Sequence, residues 1–413
     1  MEYLSTLLES ESMLLEYQKG ALKNVSVKNS SNRVLRCIQD GKVAVVAGEK
    51  ESSVDHLLKL ALELVPFGES VDYQFPTAQI YNSKSPPPIP FVENLKRKDL
   101  DEIATHYLSI AKKRLPGLNI DLSIEKSNSS LDLQGSTGLK GGYASSTLNI
   151  SVQVMEFKES EIFEWNQTLP SPPHAQRDLE CFFEDLYEEI EAARTPSTSL
   201  GQGEYPFIFT PEILQGGLLP SFFLALSPTL LENKTSPLVN RLGEKIFADE
   251  ISFEEQAAEI PFDGDGLPTT AKTIINQGVL ELFPIPLEYS KRLKSNPTAN
   301  SFGGFPFSDF HFKKGSGELK KWIRSMSEGV ILCTSYNLTQ GNIANGNLSG
   351  IISLGLHIKD GKIQGRVKDR TCTLNLYEAL GKNLHDISKR TQVLGHGRVM
   401  NLPWVLSHGI EVS

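Results

Sequence analysis

The spacing of apolar residues in the first part of the chain predicts two helices separated by a β-hairpin. Leucines at positions 4, 7, 8, 14 and 15 recur at helical intervals and predict a helix from residue 1 to about residue 23. Two apolar runs, Arg33–Ile38 and Lys42–Ala47, flank the pair Asp40-Gly41, which is typical of a tight hairpin turn. Helical spacing returns at Val54–Val65.

Between this opening and residue 203 the pattern becomes alternating and then helical again. Tyr81–Phe91 is rich in proline and predicts an extended connector. Leu100–Leu115 and Asp178–Arg194 have helical spacing, whereas Leu118–Phe157 alternates apolar and polar residues as strands do. The polar segment Thr195–Gly203 is typical of a domain boundary.

The second half begins with a short strand followed by an apolar helix. The predicted strand is Pro206–Phe209 and the helical run is Ile213–Leu226. Thr210 is placed as the helix N-cap and Pro211 as the first helical residue, positions that these residue types favour. Ile274–Leu280 has the composition of a further strand.

The remaining segments predict mostly strands and turns. Glu318–Glu328 is a predicted helix, and Leu374–Lys389 is predicted to be partly helical. Lys359-Asp360-Gly361 predicts a turn between Leu354–Ile363 and Gly365–Val367. The chain is therefore expected to be α+β, with an N-terminal α/β domain over 1–203 and a β-rich C-terminal domain over 204–413.

Composition narrows the classes of function. A chain of 413 residues exceeds one ordinary core, so two domains are expected. The net charge of −9 lacks the basic surface that nucleic-acid binding needs. The four cysteines have no C-x-x-C spacing and indicate reduced thiols in the cytoplasm. No apolar run approaches the length of a membrane span, so no membrane association is expected.

Three short motifs in the second half occur in a recognisable order. Ser236–Glu244 has the form S-x(6)-G-E, residues 263–266 have the form D-x-D-G, and residues 275–280 have the form I-x-x-G-V-L. In this order they resemble the core of the TldD/PmbA family, two-component metallopeptidases that are also called modulators of DNA gyrase.

The resemblance implies a zinc site whose ligands this chain lacks. Metal-bearing members carry H-E-x-x-x-H on the helix before the S-x(6)-G-E block, which supplies two imidazole ligands and a general base. Alignment from Ser236 and Gly243 places these positions on Leu219, Pro220 and Leu224, whose side chains cannot bind a metal. A further family ligand, a cysteine, is absent from residues 395–404. No metal, cofactor or catalytic residue is therefore expected, and the chain resembles the metal-free TldE/PmbA-like branch.

No other arrangement in the sequence indicates catalysis. Asp263 and Asp265 favour an Asx-type turn over an acid–base pair, and nothing in their setting indicates a raised pKa. The histidines at positions 311, 357, 385, 396 and 408 lack the mutual spacing of a zinc site. There is also no G-x-S-x-G motif.

The resemblance predicts a role in holding unfolded peptide. The chain would complete a cavity, either as a homodimer or as a heterodimer with a zinc-bearing TldD-like subunit. Two glycine-rich loops match the family's cavity segments. Their candidate peptide-binding residues are Asn300, Phe302, Gly303 and Gly304 in the first loop, and Gly341, Asn342, Asn345 and Gly346 in the second.

Two alternatives remain open from the sequence. One is an active peptidase with an unrecognised site, which would cleave unstructured peptide by itself. The other is a homodimeric scaffold or binding protein without a peptidase role, which would act without any metal-bearing relative.

Overall fold

Two β-sheets, one in each half of the chain, contain most of the regular structure. The computed structural model describes residues 1–77, 80–81, 90–158, 161–169, 176–194, 200–257, 260–340, 342–367, 370–395 and 399–413. One unit comprises Met1–Glu189 with a short segment ending at Pro261, and the other comprises the rest of the chain from Ile190 onward. The predicted α+β class is confirmed.

The first unit is built on a largely antiparallel sheet of long strands. Its strands are β1 (Glu2–Gln18), β2 (Ala21–Gln39), β3 (Lys42–Glu49), β4 (Glu69–Ser70), β5 (Ile80–Tyr81), β6 (Asn119–Gly135), β7 (Lys140–Lys158) and β8 (Glu161–Thr168). They are arranged in the order β4-β3-β2-β1-β6-β7-β5, with β8 also paired to β7. The helices are α1 (Val54–Leu64), α2 (Pro90–Glu93), α3 (Arg97–Arg114) and α4 (Gln176–Arg194).

The helix predicted over the first 23 residues is wrong, because this segment forms the central strand β1. It pairs with β2 along one edge and with β6 along the other. Of the leucines that suggested a helical stripe, Leu4 and Leu15 are buried whereas Leu8 is 46% exposed. Backbone pairing to two neighbours, which the local spacing cannot reveal, therefore outweighs a weak helical pattern.

The hairpin turn and the other helices predicted for this unit are confirmed, whereas Pro90 and Phe91, predicted as part of an extended connector, begin α2. Asp40 and Gly41 both have positive φ, 51° and 70°, and form the turn between β2 and β3. Helix α1 begins after Ser53, whose hydroxyl accepts a hydrogen bond from the His56 N–H at 3.1 Å. The predicted helices at 100–115 and 178–194 correspond to α3 and α4. Residues 82–89 of the proline-rich segment lie outside the described residues.

The second unit has a larger mixed sheet and several short helices. Its strands are β9 (Gly203–Phe209), β10 (Phe253–Glu255), β11 (Lys272–Asn276), β12 (Val279–Leu280), β13 (Phe310–Phe312), β14 (Glu328–Gln340), β15 (Asn347–Lys359), β16 (Lys362–Val367), β17 (Arg370–Asn375), β18 (Leu384–Leu394) and β19 (Met400–Val412). Its helices are α5 (Pro211–Ile213), α6 (Leu219–Ala225), α7 (Pro228–Glu232), α8 (Leu287–Ser290), α9 (Leu319–Ser325) and α10 (Leu376–Ala379).

Strand pairing in this unit closes on itself. The sheet runs β12-β11-β10-β13-β19-β17-β15-β14-β9, and β9 also pairs antiparallel with β19. The strands β19, β17, β15, β14 and β9 therefore form a closed ring, and apolar side chains on them, such as Phe207, Leu332 and Val405, belong to the core of this unit. Closure leaves neither edge of β9 free over Phe207–Phe209, where it pairs with both β14 and β19.

The apolar helix after β9 packs into the core of the second unit. Thr210 caps it as predicted, with its hydroxyl 3.4 Å from the Ile213 N–H, and Pro211 is its first residue. A π-helical turn, Leu214–Leu218, separates α5 from α6. The stretch Pro211–Glu232 is long and apolar enough to cross a membrane by length and composition, contrary to the sequence analysis. Half of its apolar window is buried inside the protein.

Three further predictions have different outcomes: one segment differs, one agrees in part and one is confirmed. The strand predicted at 274–280 is a hairpin of β11 and β12, turned at Gln277-Gly278, where both φ angles are positive. The partly helical prediction at 374–389 holds only for α10, because β18 begins at Leu384. The hairpin around Asp360-Gly361 is confirmed between β15 and β16.

Candidate functional site

The helix at the family's metal position presents only apolar side chains there. Leu219 is fully buried, whereas Pro220 and Leu224 are half-buried and lie one helical turn apart on the same face of α6. An apolar helix at this place predicts that Leu219 and Leu224 are both buried, which holds for Leu219, whereas Leu224 is only half-buried. Within the part of the chain that the structure describes, no group of three or more His, Cys, Asp or Glu side chains could hold a metal.

Helix α6 touches the first of the two predicted loops through aromatic rings. The half-buried Phe223 lies 5.2 Å from Phe305 and 5.1 Å from Phe310, measured between ring centroids in edge-to-face geometry. Such pairs add roughly 0.5–1.5 kcal/mol each to the area that they bury. The position of the loop at 300–312 is therefore coupled to the half-buried edge of α6.

Helix α6 also contacts the second loop. The Ser221 hydroxyl donates a hydrogen bond to the Ile343 carbonyl. On the neighbouring side of the helix, Phe222 packs against Phe247 at 5.5 Å, and Phe247 stacks on Tyr377 at 5.6 Å. The helix that lacks the family's metal ligands is therefore in contact with both loops.

The first loop is anchored by a buried side-chain amide. Asn300 is only 4% exposed, and its Nδ2 donates to Glu255 Oε2 at 3.0 Å and to the Pro306 carbonyl at 2.8 Å. Its Oδ1 accepts from Lys272 Nζ at 3.2 Å. The structure therefore places Asn300 as a support of the loop, away from the surface that a peptide could reach.

Asn300 belongs to a network centred on a buried ion pair. Lys272 Nζ lies 2.8 Å from Glu255 Oε2, and their side chains are 8% and 0% exposed. The second oxygen of Glu255 accepts from the Ser308 N–H at 2.7 Å, and Lys272 also donates to the Ala299 carbonyl at 3.4 Å. Both ends of the loop are thus fixed to one charge pair. This network could not be predicted from the sequence, because Glu255, Lys272 and the loop lie in separate segments of the chain.

A second anchor holds the loop at Ser301. Asp263 Oδ1 accepts from the N–H groups of Asp265 and Leu267, which confirms the predicted Asx-type turn. Its Oδ2 accepts from the Ser301 N–H at 3.0 Å, and the Gly264 N–H donates to the Ser301 carbonyl at 2.7 Å. The D-x-D-G motif therefore acts as a clamp on the glycine-rich loop.

The carboxyl of Asp263 has a raised pKa, contrary to the expectation from sequence. Burial and then the neighbouring charge of Asp265 raise it to about 6, against the three backbone hydrogen bonds, which lower it. Asp265 is equally buried and accepts from the Leu287 N–H at 3.2 Å. The charge of Asp265 therefore disfavours ionisation of Asp263 within the same buried turn.

We expect this turn to gain stability as the pH falls. The pKa of Asp263 is higher in the folded chain than in the unfolded chain, so the folded state binds more protons between about pH 4 and pH 6. Ionisation above that window costs about 3 kcal/mol. Asp265→Asn keeps an acceptor for Leu287 but removes the neighbouring charge. It should therefore stabilise the chain more at pH 7.5 than at pH 5 in urea denaturation.

The matched control for this experiment is Asp249→Asn, at a carboxylate whose side chain is 75% exposed. Because water screens that charge, its effect should be the same at both pH values. An effect of Asp265→Asn that is also equal at both pH values would contradict the coupling between the two buried carboxyl groups.

The tip of the first loop is open to solvent. Gly303 and Gly304 are exposed and have φ angles of 65° and 98°, and no atom lies within 4 Å of the place where a Cβ would stand. Backbone conformation, not lack of space, therefore favours glycine at both positions. Phe302, next to them, is half-buried.

The second loop is partly open and partly packed. Asn342 and Asn345 are exposed, but Gly346 is buried with a φ of 80°, and a Cβ there would stand 2.7 Å from the Tyr377 ring. Gly346 is therefore a packing position. Gly341 lies outside the described residues. Of the eight residues predicted to bind peptide, Asn300 and Gly346 are thus the ones that the structure places in the interior.

The described C-terminal histidines differ in burial and in the groups beside them. His357 is buried beside Glu328, with 3.1 Å between Nε2 and Oε1, and His311 lies 3.8 Å from Asp309. His385 and His408 are both exposed and lie side by side, with ring centroids 4.9 Å apart. The sequence did not indicate this pair, because the two histidines are brought together by strand β18, which was not predicted. His396 lies outside the described residues.

Comparison with known proteins agrees with this architecture. The family model described as PmbA/TldA metallopeptidase C-terminal domain matches residues 202–413, about half of the chain. The protein named Metalloprotease PmbA homolog in Haemophilus influenzae is 27% identical over 212 residues, which are 49% of this chain and 46% of that protein. Its namesake in Buchnera aphidicola is 25% identical over 197 residues, 45% and 43% of the two chains. These matches span less than half the length of the curated relatives.

Solved structures extend the likeness to the whole chain. TldE from Thermococcus kodakarensis has a TM-score of 0.86 and 18% identity, covering 100% of this chain and 96% of that one. A protein described as a modulator of a DNA gyrase, from Thermotoga maritima, has a TM-score of 0.83 and 19% identity over the same shares. At such identity these two show the fold. Together with the family match over the second half, they show that the chain belongs to the PmbA/TldD metallopeptidase family.

Proposed function

We propose that this chain is the metal-free, non-catalytic subunit of a TldD/TldE-type peptidase, and that it helps to enclose unfolded peptide. The observation that carries the proposal is the replacement of the family's two metal ligands by Leu219 and Leu224, and of its general base by Pro220, on a helix that contacts both glycine-rich loops. Helix α6 therefore lacks the side chains for metal chemistry but contacts both loops.

Hydrolysis by this helix has no chemical basis. Leucine and proline side chains offer no lone pair to a metal ion and no base for a water molecule. Leu219 is packed in the core of the second unit, so the first ligand position does not face solvent. We therefore assign the cleavage step to a metal-bearing relative, and the holding of substrate to this chain.

The surface around α6 has the chemistry to hold an unfolded peptide. Pro220, Phe223 and Leu224 form a partly exposed apolar edge, and the loop tip at Gly303-Gly304 exposes backbone without side chains. An unfolded peptide offers apolar side chains and unpaired backbone groups. The apolar edge and the loop tip can contact these groups whatever the amino-acid sequence of the peptide. Recognition by this surface would be tolerant of sequence.

The proposal requires assembly with a second chain. Because no described group of three or more potential ligands in this chain could hold the catalytic metal, a zinc-bearing relative with the same fold would complete the site, and this chain would form a dimer by itself. The interface should exceed roughly 1,000 Å². The four free cysteines fit a reducing compartment, and we place the subunit in the cytoplasm.

We expect peptide cleavage only when this chain is combined with an H-E-x-x-x-H relative. The test compares the chain alone, the relative alone and the co-expressed pair on an unstructured peptide, with and without a chelator. The pair should cleave faster than the relative alone, and the chelator should abolish cleavage. In the pair, Leu224→Arg should lower the rate because a bulky cation occupies the apolar edge.

The control is Leu242→Arg, an equally drastic change at a leucine that is 55% exposed elsewhere in the same unit, and it should leave the rate unchanged. Chelator-sensitive cleavage by the chain alone would instead make it an active peptidase. A chain that forms a homodimer but does not alter the activity or stability of the relative would be a scaffold without a peptidase role.

A further inference from the structure

Two exposed histidines lie side by side at the open end of the hairpin formed by β18 and β19. The ring centroids of His385 and His408 are 4.9 Å apart, and the ring planes are inclined by 73°. The pairing of Leu384 with Ser407 brings the two backbones together at this point. Neither histidine is used in the function proposed above.

Irregularities in the two strands bring both rings to the same place. The register of β18 against β19 shifts between Leu384 and Asp386, which makes His385 the extra residue. The register of β19 against β9 shifts between Ser407 and Ile410, and Gly409 in that interval has a φ of 68°. Such bulges change the direction of a side chain, and they are frequent beside binding sites.

The backbone under His408 is held firmly. Its N–H donates to the Asn383 carbonyl at 2.9 Å. The preceding residue, Ser407, is fully buried, and its hydroxyl donates to the Ala379 carbonyl at 2.9 Å. A ligand on an anchored backbone loses little freedom when it binds, so this position is suited to chelation.

The distance between the rings fits a shared metal ion. Two imidazole nitrogens about 2.1 Å from one ion, at an angle near tetrahedral or square, hold their ring centroids roughly 5 Å apart. We propose that His385 and His408 form a two-histidine site for a late first-row divalent cation, namely Zn²⁺, Ni²⁺ or Cu²⁺. Imidazole selects these ions over Mg²⁺ and Ca²⁺, which prefer oxygen ligands.

This site is separate from the family's zinc position. The pair lies at one end of β18 and β19, whereas Gln215, in the π-helical turn before α6, lies beside Met400 at the other end, with 3.7 Å between Nε2 and Sδ. At about 3.3 Å per residue, that end is up to roughly 26 Å away along β19. A metal on the pair would have two protein ligands, fewer than the three of catalytic zinc sites, so binding is expected without peptide cleavage.

The test is titration of the full-length chain, without a histidine tag, with CuCl₂ followed by pulsed electron paramagnetic resonance, and with ZnCl₂ followed by calorimetry. The wild-type chain should show two imidazoles on one Cu²⁺. His385→Asn and His408→Asn should each show one imidazole, and should each bind Zn²⁺ at least about tenfold more weakly, a loss of about 1.4 kcal/mol.

The matched control is His106→Asn, an exposed histidine of α3 in the first unit, which should bind both ions as the wild type does. All three histidines are on the surface, so the unfolding midpoints should agree and a loss of binding should not reflect misfolding. A wild-type spectrum with one imidazole, or equal zinc affinity in the wild type and either hairpin variant, would overturn the proposal.

Discussion

Lys272→Met is expected to lower the free energy of unfolding of the second unit by about 3–5 kcal/mol. The substitution leaves the carboxylate of Glu255, which is fully buried, without its counter-charge. The amide of Asn300 and the Ser308 N–H still donate to that carboxylate, but neutral donors offset only part of the cost of burying a charge. The loop that carries Gly303 and Gly304 should loosen as a result.

Urea denaturation at pH 7 measures this effect. Trp322 and Trp404 both lie in the second unit, so tryptophan fluorescence in a Trp165→Phe background reports on that unit. The matched control is Lys245→Met, which breaks a pair with Asp249 whose side chains are 52% and 75% exposed. That change should cost about 0–1 kcal/mol, because water screens exposed charges.

A second variant separates the charge from the packing. Glu255→Met combined with Lys272→Met replaces the ion pair by two apolar side chains, and it should recover part of the loss seen with Lys272→Met alone. Recovery is expected to be incomplete because Ser308 and Asn300 lose an acceptor. If Lys272→Met cost no more than Lys245→Met, the buried pair would not be the anchor of the loop.

Local signals in the sequence predicted the elements that depend on a few neighbouring residues. The Asp40-Gly41 turn, the Thr210 cap and the helices α1, α3 and α4 all follow from spacing and capping within one segment. The strand β1 could not be predicted in this way, because its conformation depends on pairing with β6, more than a hundred residues later in the chain. Prediction failed where partners distant in sequence decide the structure.

The same distinction applies to the candidate site. The loss of the metal ligands can be read directly from residues 214–231, and the Asx-type turn at Asp263 is a local feature. The pair Glu255–Lys272, the burial of Asn300 and the approach of His385 to His408 all join separate segments. A raised pKa at Asp263 likewise follows from burial, which the short motif does not reveal.

Leu219→Asp is expected to lower the free energy of unfolding by roughly 4 kcal/mol or more, because it removes a core side chain and buries an unpaired carboxylate. Leu219 is fully buried in the apolar core of the second unit. The same substitution at Leu224, on the same helix, should cost only about 1–2 kcal/mol. Leu224 is half-buried, so a carboxylate there can reach water.

This comparison tests which of the two positions on α6 faces the core, as well as the stability of each variant. Urea denaturation followed by the fluorescence of Trp322 and Trp404 measures both variants in one background. A large cost at Leu219 and a small cost at Leu224 would support a helix whose first family ligand position has become core while its second still borders solvent. Equal costs at both positions, or the larger cost at Leu224, would contradict the orientation of α6. The apolar edge proposed to hold peptide would then lose its structural basis.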